Sequence, residues 1–333
     1  MKILWIALAL ICAVTCGVLG YLLAKRKPVL AQVYSSQRMK SEDIEEDIEA
    51  FRRVDPKLMI CKEDARLNPG LKELKGLAVG PGDRVYVVGD KSYVVLGMDG
   101  KSEAKVDLGQ SPTCIAVGPD ATVYVGLRDH VEVFDGKGAR QAVWAPQGPL
   151  AWITSIAASD KEVFVADFGD KTVFRCDKTG KVLGQLGEVA PQPGTGKYEI
   201  PSPYFDVSLD SSGTAWVAHT GRRLIETYKP DGSLASAWGK SGPQIDKFSG
   251  CCNPSHFAVR KDGSFVTAEK GLVRVKIIAA NGDLVGVVAA PKDFEKGLHG
   301  LDVAIDSKDR ILVLDPGTAT VRIYSQKSGE SHP

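Results

Sequence analysis

The stretch Cys114-Ile-Ala-Val-Gly-Pro-Asp-Ala-Thr-Val-Tyr-Val125 is a β-hairpin in miniature. A short apolar strand meets a Gly-Pro-Asp turn, and an aliphatic-aromatic strand returns from it. The same phrase recurs along the chain. Gly76 to Val88 is the first copy, Cys114 to Val125 the second, and Ser155 to Asp167 the third. Asp206 to His219, His256 to Glu269 and Asp302 to Asp315 complete the set. With Val79, Val117, Ala158, Leu209, Val259 and Ile305 taken as equivalent, successive copies lie 38 to 51 residues apart. A four-stranded propeller blade takes about 40–50 residues. The sequence therefore predicts an all-β, six-bladed β-propeller over residues 57–325, with residues 326–333 as a disordered tail. The sixth copy runs out at Val321-Arg-Ile-Tyr324, one strand short. The run Lys57-Leu-Met-Ile-Cys61 stands alone before the first copy. It is expected to supply the missing strand and close the ring, which removes an open sheet edge.

Ahead of the repeats the chain changes character. Ile3 to Ala24 is apolar and uncharged and ends at Lys25-Arg26-Lys27. As a helix it would reach roughly 33 Å, enough for a bilayer core. Residues 1–27 read as an uncleaved signal anchor or transmembrane helix. Residues 28–56 read as a stalk with a short acidic helix, N-capped by Ser41 and stopped at Asp55-Pro56. The basic cluster after the span argues for a cytoplasmic domain by the positive-inside rule, but Lys2 and the α-amine offset it. The expectation is a single-pass membrane protein with the propeller outside the cytoplasm, in the periplasm.

Charge excludes one class of partner. There are 42 Lys plus Arg against 41 Asp plus Glu, so no basic excess marks a nucleic-acid binder. Nucleophile elbows and phosphate loops are absent. Of seven cysteines, Cys12 and Cys16 lie in the apolar segment. The other five, Cys61, Cys114, Cys176, Cys251 and Cys252, form no disulfide framework.

The repeats resemble the NHL family. The third copy shows it best, with Val163-Phe-Val-Ala-Asp167, Thr172-Val-Phe-Arg-Cys-Asp177 and Gly180. Trp238-Gly239, Phe248 and Pro254 match the long link between such blades. The segment Gly250-Cys-Cys-Asn-Pro-Ser-His256, followed by Phe265-Val-Thr-Ala-Glu-Lys-Gly271, is similar to bacterial membrane-anchored members. The resemblance implies the propeller fold. The family's functions run from protein- and RNA-binding modules and sensor domains to a lyase that carries zinc on propeller histidines. No RING-type Cys/His cluster, kinase motif or basic stripe accompanies the repeats here, so the ligase and RNA-binding members are poor analogies.

In a propeller the start of strand one and the end of strand two share a face, the usual ligand side. The first position holds Gly76, Cys114, Ser155, Asp206, His256 and Asp302 around the ring. The second holds Asp90, Arg128, Asp167, His219, Glu269 and Asp315. Upstream of strand one in the last two copies lie Cys251, Cys252, Asn253 and His299. The ligand-binding candidates are thus Asp167, His219, Cys251, Cys252, His256, Glu269, His299 and Asp315. Within them His219, Cys251, His256 and His299 form a candidate site for a transition metal such as zinc, copper or iron. Asp167 and Asp315 equally suit a role in bonding loop backbone, and Asn253-Pro254 reads as a turn into strand one. Three functions stay open. The leading one is a binding or scaffold module that presents the channel-mouth face to a protein or small ligand. The others are a metal-dependent lyase or hydrolase, and an accessory protein of a membrane redox system that uses Cys251 and Cys252.

Overall fold

The computed structural model describes residues 48–327 apart from 147, 149, 188–197 and 230. The expected anchor at 1–27, most of the stalk and the tail from 328 onward lie outside the described residues. Residues 48–52 are helical, where the end of the acidic helix was expected. No helix among the described residues is long and apolar enough to cross a membrane.

Six four-stranded antiparallel sheets make the propeller. The first five blades are consecutive in sequence. In blade five, for example, the strands are His256–Val259, Phe265–Glu269, Arg274–Ile278 and Leu284–Ala289. The sixth joins both ends of the chain. It consists of Asp302–Ile305, Ile311–Asp315 and Thr320–Gln326, with Cys61–Leu67 on its outer edge.

Strand two of each blade lies between neighbouring blades and is covered on both sides. Its sequence is therefore a continuous apolar run rather than an alternating one, and Val85, Val87 and Val88 are fully buried. The cores sit between blades. Val266, Val275 and Ile277 of blade five pack against Val303 and Val313 of blade six. Each such side chain contributes about 1.5–3 kcal/mol on burial. Outer strands face water, and Ser102–Asp107 and Arg140–Trp144 are mostly exposed. In blades one to four the turn between strands three and four uses an Asp whose carboxylate accepts local amides, as Asp177 does from Thr179 and Lys181 at 2.8 and 3.1 Å. Gly180 follows with φ +89°, and a Cβ there would lie 2.5 Å from the Trp144 ring of the preceding blade. Glycine is thus required by both the turn and the blade contact.

Ring closure occurs as expected, but not with the expected residues. Cys61–Leu67 is the closing strand, paired antiparallel from Cys61 opposite Gln326 to Leu67 opposite Val321. Of Lys57–Cys61 only Cys61 belongs to it. Pro56–Leu58 is a 3-10 turn capped by Asp55, whose carboxylate accepts the Lys57 amide at 2.9 Å. Ile60 then donates its amide to the Val287 carbonyl at 3.2 Å, so the apolar run clasps blade five instead. The expectation followed hydrophobicity, whereas an outermost strand is mostly solvated, and five of the seven residues in Cys61–Leu67 are exposed. The last strand also runs to Gln326, two residues beyond the expected Tyr324.

An ion-pair cluster anchors the closure. Arg322 donates to Glu63 of the closing strand at 2.6 and 3.0 Å and to the Asp293 carbonyl at 2.7 Å, and lies 3.4 Å from Asp315. Arg322 is buried. Removing one partner of such a buried cluster leaves uncompensated charge and costs about 3–5 kcal/mol. Arg322→Ala should lower the free energy of unfolding by about 3 kcal/mol in urea titration. A loss within about 0.5 kcal/mol, the size of an ordinary surface substitution, would show that closure does not depend on this cluster.

Candidate functional site at the channel mouth

In each blade the innermost strand pairs with strand two alone, so its other edge faces the central channel unpaired. Buried backbone amides need acceptors. Across half of the ring those acceptors are side chains at the start of strand one. Asp302 accepts the amides of Leu77 in the next blade at 2.8 Å and of its own neighbour Val303 at 2.7 Å. Asp206 likewise accepts from Phe257 in blade five at 2.8 Å and from Val207 at 3.1 Å. The Ser155 hydroxyl accepts from Val207 at 3.3 Å and donates to Asp206 at 2.5 Å.

His256 stands between the two acids. Its Nδ1 is 3.7 Å from an Asp206 oxygen and 3.5 Å from an Asp302 oxygen. Burial disfavours the imidazolium, but Asp302 and Asp206 together outweigh it, and the pKa of His256 is pushed up to about 9. Burial pushes the Asp302 carboxyl up to about 6, with His256 opposing and Asp206 adding to the rise. These groups open onto a cavity of about 290 Å³ lined by the first strands of all six blades. Ser155 gives its proton to a carboxylate rather than to the imidazole, so Ser155, Asp206 and His256 do not form the relay of a nucleophilic triad.

The position after strand two has a different task. Asp90 accepts the Lys72 and Glu73 amides at 3.3 and 2.8 Å. Asp167 accepts those of Trp152 and Asp170 at 2.9 and 3.1 Å. Asp315 accepts that of Gly317 at 3.0 Å and pairs with Arg322. Arg128 lies over the Trp152 ring, 3.8 Å from its centroid. His219 accepts the Glu199 amide at Nε2, 2.8 Å away, so its proton is assigned to Nδ1, which donates to Glu226 at 2.9 Å. Both ring nitrogens are committed, and Tyr198 covers the ring edge-on at 5.2 Å. Glu269 is fully buried with Arg274 and Lys276, at 2.9 and 2.7 Å, and accepts the Ser249 amide at 3.0 Å. Asp90, Asp167, His219 and Glu269 thus each bond the loop that leads into strand one of their own blade, whereas Asp315 bonds the turn that follows strand two.

The expected metal site is corrected on this ground. Among the described residues no three His, Cys, Asp or Glu side chains lie together in a way that could hold a metal ion. His219 points into its blade, His256 faces the channel acids, and His299 is exposed on its loop. Sharing a face did not bring the rings together, because strand-two ends turn toward the incoming loop and strand-one starts turn toward the axis.

Cys251 and Cys252 are side by side in the loop before blade five, with sulfurs 3.1 Å apart. None of the five described cysteines is in a disulfide. Asn253 fixes this loop by donating to the carbonyls of Ser249 and Lys270 at 2.7 and 2.9 Å and accepting the Lys270 amide at 2.9 Å, and the Asn253-Pro254 peptide is cis. Sequence reasoning missed Glu226, Arg274 and Lys276 as the partners of its candidates. The available signal was charge at alternating positions of an otherwise apolar third strand, Arg274-Val-Lys-Ile-Ile278.

No family model and no curated protein matches this chain. Solved structures do. A streptogramin B lyase has a TM-score of 0.56 at 9% identity, over 82% of this chain and 100% of the other. The virginiamycin B lyase of Staphylococcus aureus has a TM-score of 0.53 at 13% identity, over 81% and 90%. A Bacteroides thetaiotaomicron protein of unknown function has a TM-score of 0.55 at 16% identity, over 80% and 72%. At these identities the likeness shows the fold alone.

Two outcomes follow from the buried charges. A histidine whose folded pKa is raised from 6.5 to about 9 stabilises the fold fully below 6.5 and loses that contribution as pH rises through 9. The loss is on the order of 3 kcal/mol. The raised carboxyl of Asp302 acts with the same sign at lower pH, its contribution lost as pH rises from 3.8 through about 6. Urea unfolding should therefore show falling stability between pH 6.5 and 9, and His256→Gln should flatten that slope. An unchanged slope in the variant would refute the assignment. Separately, Glu269→Gln leaves Arg274 and Lys276 buried without their counter-charge and should cost about 3–5 kcal/mol, read by the same titration.

Proposed function

We propose that this chain is an NHL-type propeller acting as a binding module, which takes a small polar ligand at the mouth of its central channel. The observation that carries this reading is His256, an imidazole buried between two carboxylates at the opening of a 290 Å³ cavity. The amides of the inner strands account for Asp206 and Asp302, but nothing in the backbone requires a histidine there. With both acids ionised and the imidazole protonated, the cluster carries one net negative charge. It favours a ligand with a cationic or hydrogen-bond-donating group, such as an amine or a polyol. The NHL assignment is supported by six copies of the repeat phrase in phase. The uncharged segment Ile3–Ala24 supports a membrane tether, and the reading places the propeller outside the cytoplasm.

A specific observation favours a second reading. The Asp302 and His256 pKa values, about 6 and about 9, bracket neutrality, which is the pattern of a general acid and base sharing one site. A lyase or hydrolase working by proton transfer at this mouth would use that pair. Two structurally similar proteins are lyases.

Thermal unfolding of the full-length protein in detergent against a panel of small amines, polyols and sugars tests the reading. At least one member should raise Tm in a concentration-dependent way, and His256→Gln should abolish the rise. If no member raises Tm, or the rise survives in the variant, the mouth is not the binding site. Chemical conversion of a stabilising member would put the second reading first.

A further inference from the structure

The loop before blade five carries a feature that the channel mouth does not use. Cys251 and Cys252 are adjacent in sequence, yet their sulfurs are only 3.1 Å apart. Adjacent side chains in extended backbone point to opposite sides. Here the loop turns them to the same side. Gly250 before them has φ +67°, and its carbonyl accepts a hydrogen bond from Arg223 at 2.6 Å. Asn253 after them is held at three points, by Ser249 and Lys270. The pair is therefore fixed from both ends.

The two thiols differ. Cys251 is exposed, whereas Cys252 is buried. The Cys252 thiol is held above its ordinary range, chiefly by burial with Cys251 adding to the rise, and a hydrogen bond to Ser202 and the charge of Lys270 oppose this. Lys270 donates to Ser202 at 3.2 Å and lies over the Tyr204 ring at 4.3 Å. The inner sulfur thus has a hydroxyl partner and a nearby ammonium, which offset part of the burial penalty on its thiolate. The other buried thiols, Cys61, Cys114 and Cys176, are pushed up by burial to about 11, 12 and 12.

We infer that Cys251 and Cys252 form a thiol–disulfide exchange site on the rim of this face, with Cys251 as the attacking thiol and Cys252 as the resolving one. The co-reactant is a disulfide. The Cys251 thiolate attacks one sulfur of R–S–S–R. The old S–S bond breaks, one RS⁻ leaves and takes up the proton that Cys251 released, and a Cys251–S–S–R mixed disulfide forms. The Cys252 thiolate then attacks the Cys251 sulfur and expels the second RS⁻, which takes up the Cys252 proton. Two protein thiols are oxidised to one vicinal disulfide, and the co-reactant is reduced to two thiols. A bond of about 2.05 Å requires the sulfurs to close by about 1 Å from their present separation. A ring between adjacent residues constrains the peptide that it spans, and strained disulfides are the oxidising, readily reduced ones. The site therefore suits cycling rather than permanent cross-linking. It is independent of the ligand reading, since neither step involves His256 or the channel.

The test incubates the full-length protein with oxidised glutathione, quenches by acid, alkylates free thiols and maps the peptides by mass spectrometry. In the wild type the peptide containing Cys251 and Cys252 should be lighter by two hydrogen atoms, unalkylated and free of glutathione, and reduced glutathione should reverse the change. Cys252→Ser should lose the internal disulfide and trap glutathione on Cys251. Cys251→Ser should lose both products. Stable glutathionylation of the wild type, two free thiols after incubation, or trapping on position 252 rather than 251 would each overturn the assignment. The wild-type map decides the matter even if a variant folds poorly.

Discussion

A closed ring of blades leaves one edge of every sheet without a partner, and that edge faces the axis. The outer edges can be solvated, and the chain ends can be joined by borrowing Cys61–Leu67 for the last blade. The inner edges cannot be paired with one another, because six of them converge on a narrow channel. Their amides need side-chain acceptors, and a carboxylate with two oxygens can serve two amides at once. Asp206 and Asp302 each bond an amide in the next blade and one in their own. They therefore stitch blade four to blade five and blade six to blade one. Burial raises the Asp302 pKa, and repulsion between two carboxylates confined near one axis adds to the rise. His256 between them offsets that repulsion. The polar mouth thus arises first as a solution to the fold, and the same charges are what a ligand would meet.

The ring does not repeat this solution evenly. Blade one has Gly76 at the equivalent position, and a Cβ there would lie 3.1 Å from both the Cys114 backbone and Val88. Blade two has Cys114, buried, beside a Thr113 hydroxyl that bonds the Gly126 carbonyl at 3.0 Å. A side chain at Gly76 would crowd the second blade. At the start of strand one the hydroxyl, carboxylate and imidazole groups are confined to blades three to six, so this ring of positions is asymmetric. That asymmetry gives a mouth the ability to orient what it binds.

How much of this was legible in the sequence followed from burial. Strands covered on both faces, such as Val163–Asp167 and Ile311–Asp315, read directly as apolar runs, and six of them in phase specify the blade count. Cys61–Leu67 did not read as a strand, because an outer strand obeys only backbone pairing and carries Lys62, Glu63, Asp64 and Arg66. The residues at the start of strand one and the end of strand two were legible as two rings of positions. The direction of their side chains was not. His219 and His256 share a face by phase, yet one satisfies the Glu199 amide and the other answers two carboxylates. Such choices depend on partners brought in from distant sequence. Asp302 and Leu77 are bonded across nearly the whole propeller sequence.

The same reasoning explains why blade five keeps three charges in its interior. A buried ion cluster is expensive to desolvate, and apolar residues often replace one without loss. Here the cations do more than answer Glu269. The lead-in to blade five contains irregular backbone, and carbonyls there have no strand to bond. Arg274 donates to those of Pro243, Gln244 and Lys247, and Lys276 to those of Ile245 and Lys247. Two long cations reach where no strand can, and Glu269 neutralises part of their charge while holding the Ser249 amide. Apolar substitutes would leave those carbonyls without donors, at a cost of about 1–3 kcal/mol for each group left buried and unbonded. Ser249 directly precedes Gly250, Cys251 and Cys252. The buried cluster therefore fixes the stem from which the paired thiols project, and the rigidity that a vicinal exchange site requires is supplied from inside the blade.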